Sequence, residues 1–206
     1  MSTKFKRKKL SSSSKKWITR QKNNIFTKAS KNLNIVCRSY FKLKEIQDKY
    51  KIIKKNHKVI DIGSVPGGWC QFVKEITEEL HACDIVNNME VSVKKFILGD
   101  FCDKKIQEKM ENYDCILSDM AISSTGIKHI DIVLNHNLLV NVWNFAKTNL
   151  NKNGYLVIKI FQNEETNKVV NEIRKQFHRV IRFKPKSSHK ESQEMFLLAF
   201  KRHTVL

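Results

Sequence analysis

The hydrophobic residues of this chain fall into short runs separated by charged and polar stretches. The runs at about 58–62, 80–85, 94–98, 113–118, 154–160, 179–184 and 194–200 are rich in Val, Ile, Leu and Phe, the pattern of buried strands. Segments between them, at about 69–78, 103–111, 129–149 and 164–177, read as helices. An earlier segment, 38–50, places Tyr40, Leu43, Ile46 and Tyr50 at helical spacing. Strands alternating with helices predict an α/β fold: a mostly parallel seven-stranded sheet with helices on both faces. Residues 185–193 join the last two strands without a helix, which predicts one antiparallel strand at the end of the sheet. A chain of 206 residues suits a single well-buried domain.

Three of the six glycines and one of the two prolines sit in one loop, Asp61-Ile-Gly-Ser-Val-Pro-Gly-Gly-Trp69, between the first strand and a helix. Such a turn lets backbone amides approach a ligand outside the carboxyl ends of the strands. Gly63 and Gly68 have the spacing of a phosphate-binding loop, but Trp69 and Cys70 stand where its Lys and Ser/Thr belong. The dinucleotide spacing G-x-G-x-x-G is also absent. What remains is a nucleoside ligand without a triphosphate. Its ribose hydroxyls would meet an acid at the end of the next strand, where Asp84 stands, with Asp100 closing the strand after it. Taken singly, either aspartate is an ordinary turn residue.

Charge adds a partner. The formal net charge is +19, and the first acidic residue is Glu45; the 44 residues before it hold eleven Lys and three Arg. Residues 1–36 therefore read as a basic N-terminal arm, in part disordered (1–14) and in part a basic helix (15–32), preceding a domain at 37–206. An arm of this kind neutralises the phosphates of a nucleic acid, though a transit peptide or a solvated tail has the same composition. The five cysteines are widely spaced, with no C-x-x-C pair, and read as reduced thiols inside a cell, in the cytoplasm, the nucleus or an organelle such as a mitochondrion. No apolar run is long enough to span a membrane, and no signal peptide is visible at the start.

Charged residues also occur where strands should only bury. Lys159 interrupts Tyr155-Leu-Val-Ile-Lys-Ile-Phe161, Asp119 ends Asp114-Cys-Ile-Leu-Ser-Asp119, Glu194 opens the last strand, and Lys42 lies in Arg38-Ser-Tyr-Phe-Lys-Leu43. These segments resemble the FtsJ-type family of S-adenosylmethionine-dependent ribosomal RNA ribose 2′-O-methyltransferases. The resemblance runs from Ser11 to Arg202 and rests on the Lys42 segment, the loop Asp61 to Trp69, S-D-M-A at Ser118 to Ala121, V-x-K-x-F-Q at Val157 to Gln162, and Gln193-Glu-Met-Phe196. Ile122 departs from it, standing where the family usually has Pro.

The resemblance implies a Rossmann-like methyltransferase fold and a catalytic set of Lys42, Asp119, Lys159 and Glu194. It implies that S-adenosyl-L-methionine is held around Asp61, Gly63, Pro66, Gly67, Gly68, Trp69, Asp84, Asp100, Phe101 and Asp119. The substrate it implies is the ribose of a uridine in large-subunit ribosomal RNA, bound through the basic RNA-binding arm. No His/Cys/Asp cluster in the sequence argues for a metal, and the protein is expected to act as a monomer. A tRNA substrate, or a non-catalytic RNA-binding assembly factor of the same fold, are the alternatives. A sulfonium methyl is already activated, so the work left is in-line alignment and the handling of one proton. Lys159 either takes that proton or stays charged and steadies the alkoxide.

Overall fold

Residue parity along each strand decides which half of the core a side chain enters. Ile60 and Ile62, Ile116, and Leu156, Ile158 and Ile160 pack on one side of the sheet; Val59, Cys115 and Leu117, and Tyr155 and Val157 pack on the other. The structure, a computed structural model, describes residues 29–30, 33–188 and 192–203. The readings of a disordered 1–14 and a basic helix at 15–32 lie almost wholly outside the described residues.

Seven strands form one sheet in the order β3-β2-β1-β4-β5-β7-β6. They are β1 (Val59–Ile62), β2 (Leu80–Asp84), β3 (Lys95–Leu98), β4 (Tyr113–Ser118), β5 (Leu150–Phe161), β6 (Phe177–Phe183) and β7 (Glu194–Arg202). Neighbours from β3 to β5 are parallel, while β7 runs antiparallel to both β5 and β6. The expected single antiparallel strand is thus β7, inserted between β5 and the edge. Helices α1 (Ser39–Tyr50) and α2 (Gly68–Lys74) cover one face; α4 (Lys128–Asn149) and α5 (Glu164–Arg174) cover the other, where the short α3 (Lys104–Gln107) adds Ile106. No helix among the described residues is long and apolar enough to cross a membrane. All five cysteines are free thiols.

Helix α1 is fixed at two points. It ends in a left-handed Lys51, and the Gln47 amide clamps both the N–H and the carbonyl of Ile53 as the chain turns toward β1. Its middle is tied to the loop before β7, since the Glu45 carboxylate accepts from the Lys186 and Ser187 N–H groups at 2.7 and 2.8 Å. The helix so fixed carries Lys42 to the carboxyl ends of the central strands.

Candidate active site

Lys42, Asp119, Lys159 and Glu194 come from α1, the end of β4, β5 and the start of β7, and the fold brings all four together. Lys159 lies on the α1 side of β5, so its ammonium meets the Asp119 carboxylate at 2.8 Å and the Asp119 carbonyl at 2.7 Å. Lys42 reaches the same carboxylate at 3.3 Å and Glu194 at 3.0 Å, over the ring of Phe196. The four side chains are between 6% and 16% exposed, so their mutual attraction is little screened.

Burial disfavours each charge, and the partners decide the outcome. For Lys42 burial acts downward, yet the Asp119 and Glu194 carboxylates hold its ammonium above the ordinary lysine range. For Asp119 burial acts upward, but Lys159 and Lys42 hold it below the usual carboxylate range. Glu194 is likewise held low against burial by Lys42.

Beside this cluster, a cavity of about 580 Å³ opens over the ends of β1, β2, β3 and β4. Gly63, Asp84, Asp100, Phe101 and Asp119 line it. Asp84 accepts from the N–H of Val65 at 2.8 Å and of Val86 at 2.9 Å, and Asp100 from that of Cys102 at 2.9 Å. Phe101 forms a buried wall against Phe145. Gly63 has φ +78°, and a Cβ there would collide with the Met120 side chain. Only glycine lets the loop after β1 and the loop after β4 close in on each other, which sets Asp119 at the cavity's edge.

The other expected cofactor residues lie beneath or beside the cavity and are not part of its lining. Asp61 is fully buried and accepts from the Cys70 thiol at 3.2 Å. Burial pushes its carboxyl up to about 7, against the thiol's hydrogen bond and with the help of Asp119 and Asp84. The Pro66 carbonyl accepts from the Glu90 N–H, and Gly67 precedes α2. Gly68 packs so tightly under Cys37 and Ser39 that a Cβ would overlap both, which lets α1 and α2 touch. Trp69 is buried against Phe196 and donates to the Ser39 carbonyl at 2.9 Å. The sequence reading overlooked Ile85, 68% exposed in the cavity lining directly after Asp84. An apolar residue following a strand-terminal acid, where a turn is normally polar, was the available signal.

An α/β sheet with a nucleoside-sized cavity at its carboxyl edge, two acids at successive strand ends and a glycine turn fits S-adenosylmethionine, whose ribose diol and amino group suit carboxylate acceptors. The protein is a Rossmann-like S-adenosylmethionine-dependent methyltransferase. The chain belongs to the FtsJ-like methyltransferase family, whose model matches residues 35–202. It is 37% identical over 197 residues to ribosomal RNA large subunit methyltransferase E of Francisella tularensis, covering 91% of this chain and 96% of that protein. To the protein of the same name from Pelagibacter ubique it is 39% identical, over 90% and 95% of the two chains. Among solved structures, a ribosomal RNA methyltransferase from Plasmodium falciparum superimposes with a TM-score of 0.68 at 27% identity, covering 80% of this chain and 97% of that one.

Proposed function

We propose that this protein transfers the methyl group of S-adenosylmethionine to a ribose 2′-hydroxyl of large-subunit ribosomal RNA, at a uridine. The observation that carries the reading is the ion cluster of Lys42, Asp119, Lys159 and Glu194 at the edge of the cofactor cavity. The names of the relatives support the same substrate.

The donor supplies a methyl activated by its sulfonium, so the protein's residues must align the acceptor and manage its proton. Asp84 and Asp100 hold the donor's polar groups, and the loop from Asp61 to Trp69 shapes its bed. Asp119 occupies two positions on the Lys159 nitrogen. A remaining position serves the 2′-oxygen as methyl transfer proceeds, by accepting its proton or by stabilising the alkoxide. Lys42 and Glu194 keep Asp119 and Lys159 in that geometry. Residues 1–36 form an RNA-binding arm ahead of the methyltransferase domain, and the protein acts as a monomer wherever ribosomal subunits are made.

Transfer of a tritiated methyl group to ribosomal subunits, ribosomal RNA and tRNA, with nucleoside mapping of the product, tests the reading. The expected product is a 2′-O-methyluridine in large-subunit RNA. Exclusive labelling of tRNA, or none at all, would overturn it. Removing residues 1–28, which spares Ile35 and Val36 with their contacts to the α2 side, deletes eight Lys and two Arg. If the arm grips phosphates, the log-log salt slope of RNA binding flattens by about 0.7 per lost single-strand contact. An unchanged slope assigns the arm to targeting.

A further inference from the structure

A second cavity, of about 420 Å³, adjoins the cofactor cavity. Ile122 lines both cavities. The second is bounded further by Phe161, Gln162 and Gln193, and Phe161 and Gln193 each adjoin a residue of the cluster. Phe161 pairs with Glu194 across β5 and β7, Gln193 precedes Glu194, and Lys159 stands two residues before Phe161 on the same side of its strand. The methyltransfer reading gives the pair Phe161-Gln162 and the residue Gln193 no role.

The polar groups here divide into two kinds. Asn135 accepts from the Ile122 N–H and donates to the Asp131 carbonyl. Asn163 caps α5, accepting from the Thr166 N–H at 2.7 Å. Asp131 accepts from the Ser124 hydroxyl and from the hydroxyl and N–H of Thr125. These side chains hold the loop and the helix in place. Gln162 and Gln193 are exposed, and neither amide has a hydrogen-bond partner among the described residues. With the Lys128 ammonium, they are the uncommitted polar groups of this cavity's lining.

Stereochemistry says what belongs there. In a nucleotide the base is attached to C1′, the atom next to the C2′ that carries the reacting hydroxyl. A ribose seated at the ion cluster therefore places its base within a few ångströms, within reach of the cavity that Phe161 and Gln193 border. We propose that the second cavity receives the base of the target nucleotide, turned out of the RNA, with Phe161 as the stacking surface and Gln162 and Gln193 reading its edge. Proteins that recognise single-stranded RNA commonly take an unstacked base onto an aromatic ring and bond its pairing edge. A carboxamide offers one donor and one acceptor side by side, the complement of the N3–H and O4 of uracil. The Lys128 ammonium in the same lining suits the flanking phosphate.

This inference rests on the RNA 2′-O-methylation reading, and the experiment separates the two. The full chain and the variant Gln162→Ala/Gln193→Ala methylate a large-subunit RNA fragment carrying either uridine or cytidine at the mapped position. Wild type is expected to prefer uridine. The double variant is expected to lose about tenfold or more in kcat/KM on the uridine substrate and to discriminate less between the two bases. Its melting temperature and its affinity for the cofactor product should match wild type, since both glutamines are exposed and neither lines the cofactor cavity. Unchanged kcat/KM, an equal loss on both bases, or a wild type indifferent to the base would overturn the base-site assignment while leaving the methyltransferase reading intact. A wild type that methylates no RNA removes both.

Discussion

Asp61 and Asp119 stand near the ends of adjacent strands, each largely withdrawn from water, and their carboxyls move in opposite directions. Asp61 meets a thiol, a weak donor without charge, and burial pushes it up to about 7. Asp119 meets two ammonium groups and is held low in spite of burial. Dry surroundings alone do not decide whether a carboxyl is charged; the partner supplied by the fold does. On the β5 side of this edge the sheet holds a fixed negative charge between two lysines. On the β2 side it keeps a carboxyl poised to titrate beneath the glycine loop, with Asp84 and Asp100 bonded to backbone amides above it.

The comparison breaks most visibly at Asp119. Asp119→Asn leaves two buried ammonium groups without their shared counter-charge and should cost about 3–5 kcal/mol of stability, along with methyl transfer. The pH dependence has a definite sign. Asp119 and Glu194 have folded pKa values below their unfolded ones, so their contribution is complete above about pH 5. It is lost as pH falls through the folded values. Lys42, whose pKa is raised, contributes fully below about pH 10 and loses that as pH rises further. Urea melts of wild type across the acid limb should therefore fall more steeply than those of Asp119→Asn. Parallel limbs would mean the ion cluster contributes little to folding.

Lys159→Ala should leave stability closer to wild type, because Asp119 retains Lys42, while removing methyl transfer by roughly a thousandfold. Cofactor affinity should change by no more than a few-fold, since Lys159 does not line the cofactor cavity. Lys159→Arg separates the two roles for the amine. An arginine cannot accept a proton, so appreciable turnover assigns electrostatic stabilisation, and none favours proton transfer.

These residues were not equally legible. The glycine turn is contiguous and compositionally rare, so the sequence alone pointed to a ligand at the end of β1. Strands β1, β2 and β4 emerged from their apolar runs nearly to the residue, because both faces of the sheet are buried there. Helix ends were harder. The segment 69–78 is helical only to Lys74, where Glu75 turns to accept the Tyr40 hydroxyl, and 103–111 holds only the four residues Lys104–Gln107. β5 begins at Leu150, four residues before the expected start, where the chain pairs with Tyr113 across a register shift that periodicity cannot reveal. The ion cluster was visible as four misplaced charges. That Lys42 faces Asp119 depends on how α1 crosses the sheet, and the family resemblance carried that step.

The poised side of the comparison is sharpened at Asp61. With a folded pKa of about 7 and an unfolded value near 4, the carboxyl has no effect on stability below pH 4. Between about pH 4 and 7 the unfolded chain ionises and the folded one does not, so stability falls, by up to about 1.4 kcal/mol per pH unit. Asp61→Asn is neutral throughout and should flatten that slope in urea titrations without cofactor. A variant whose slope parallels wild type would show that Asp61 ionises normally in the folded protein.

The smallest effect is expected at Asp84, where two roles overlap. Its carboxylate already accepts two backbone N–H groups, which suffices to explain a turn. Each carboxylate oxygen has a further lone pair, and the residue lines the cavity, so the ribose diol of the donor can be bound without giving up the turn. Asp84→Ala should weaken binding of the donor by about 1–3 kcal/mol, read by calorimetry. The same variant should lower the melting temperature of the cofactor-free protein only slightly, because Gly63 and Ser64 remain bonded to the Cys83 carbonyl. The two readouts separate the roles: a lower melting temperature with an unchanged dissociation constant would reduce Asp84 to a turn residue and leave Asp100 and the loop backbone to hold the donor.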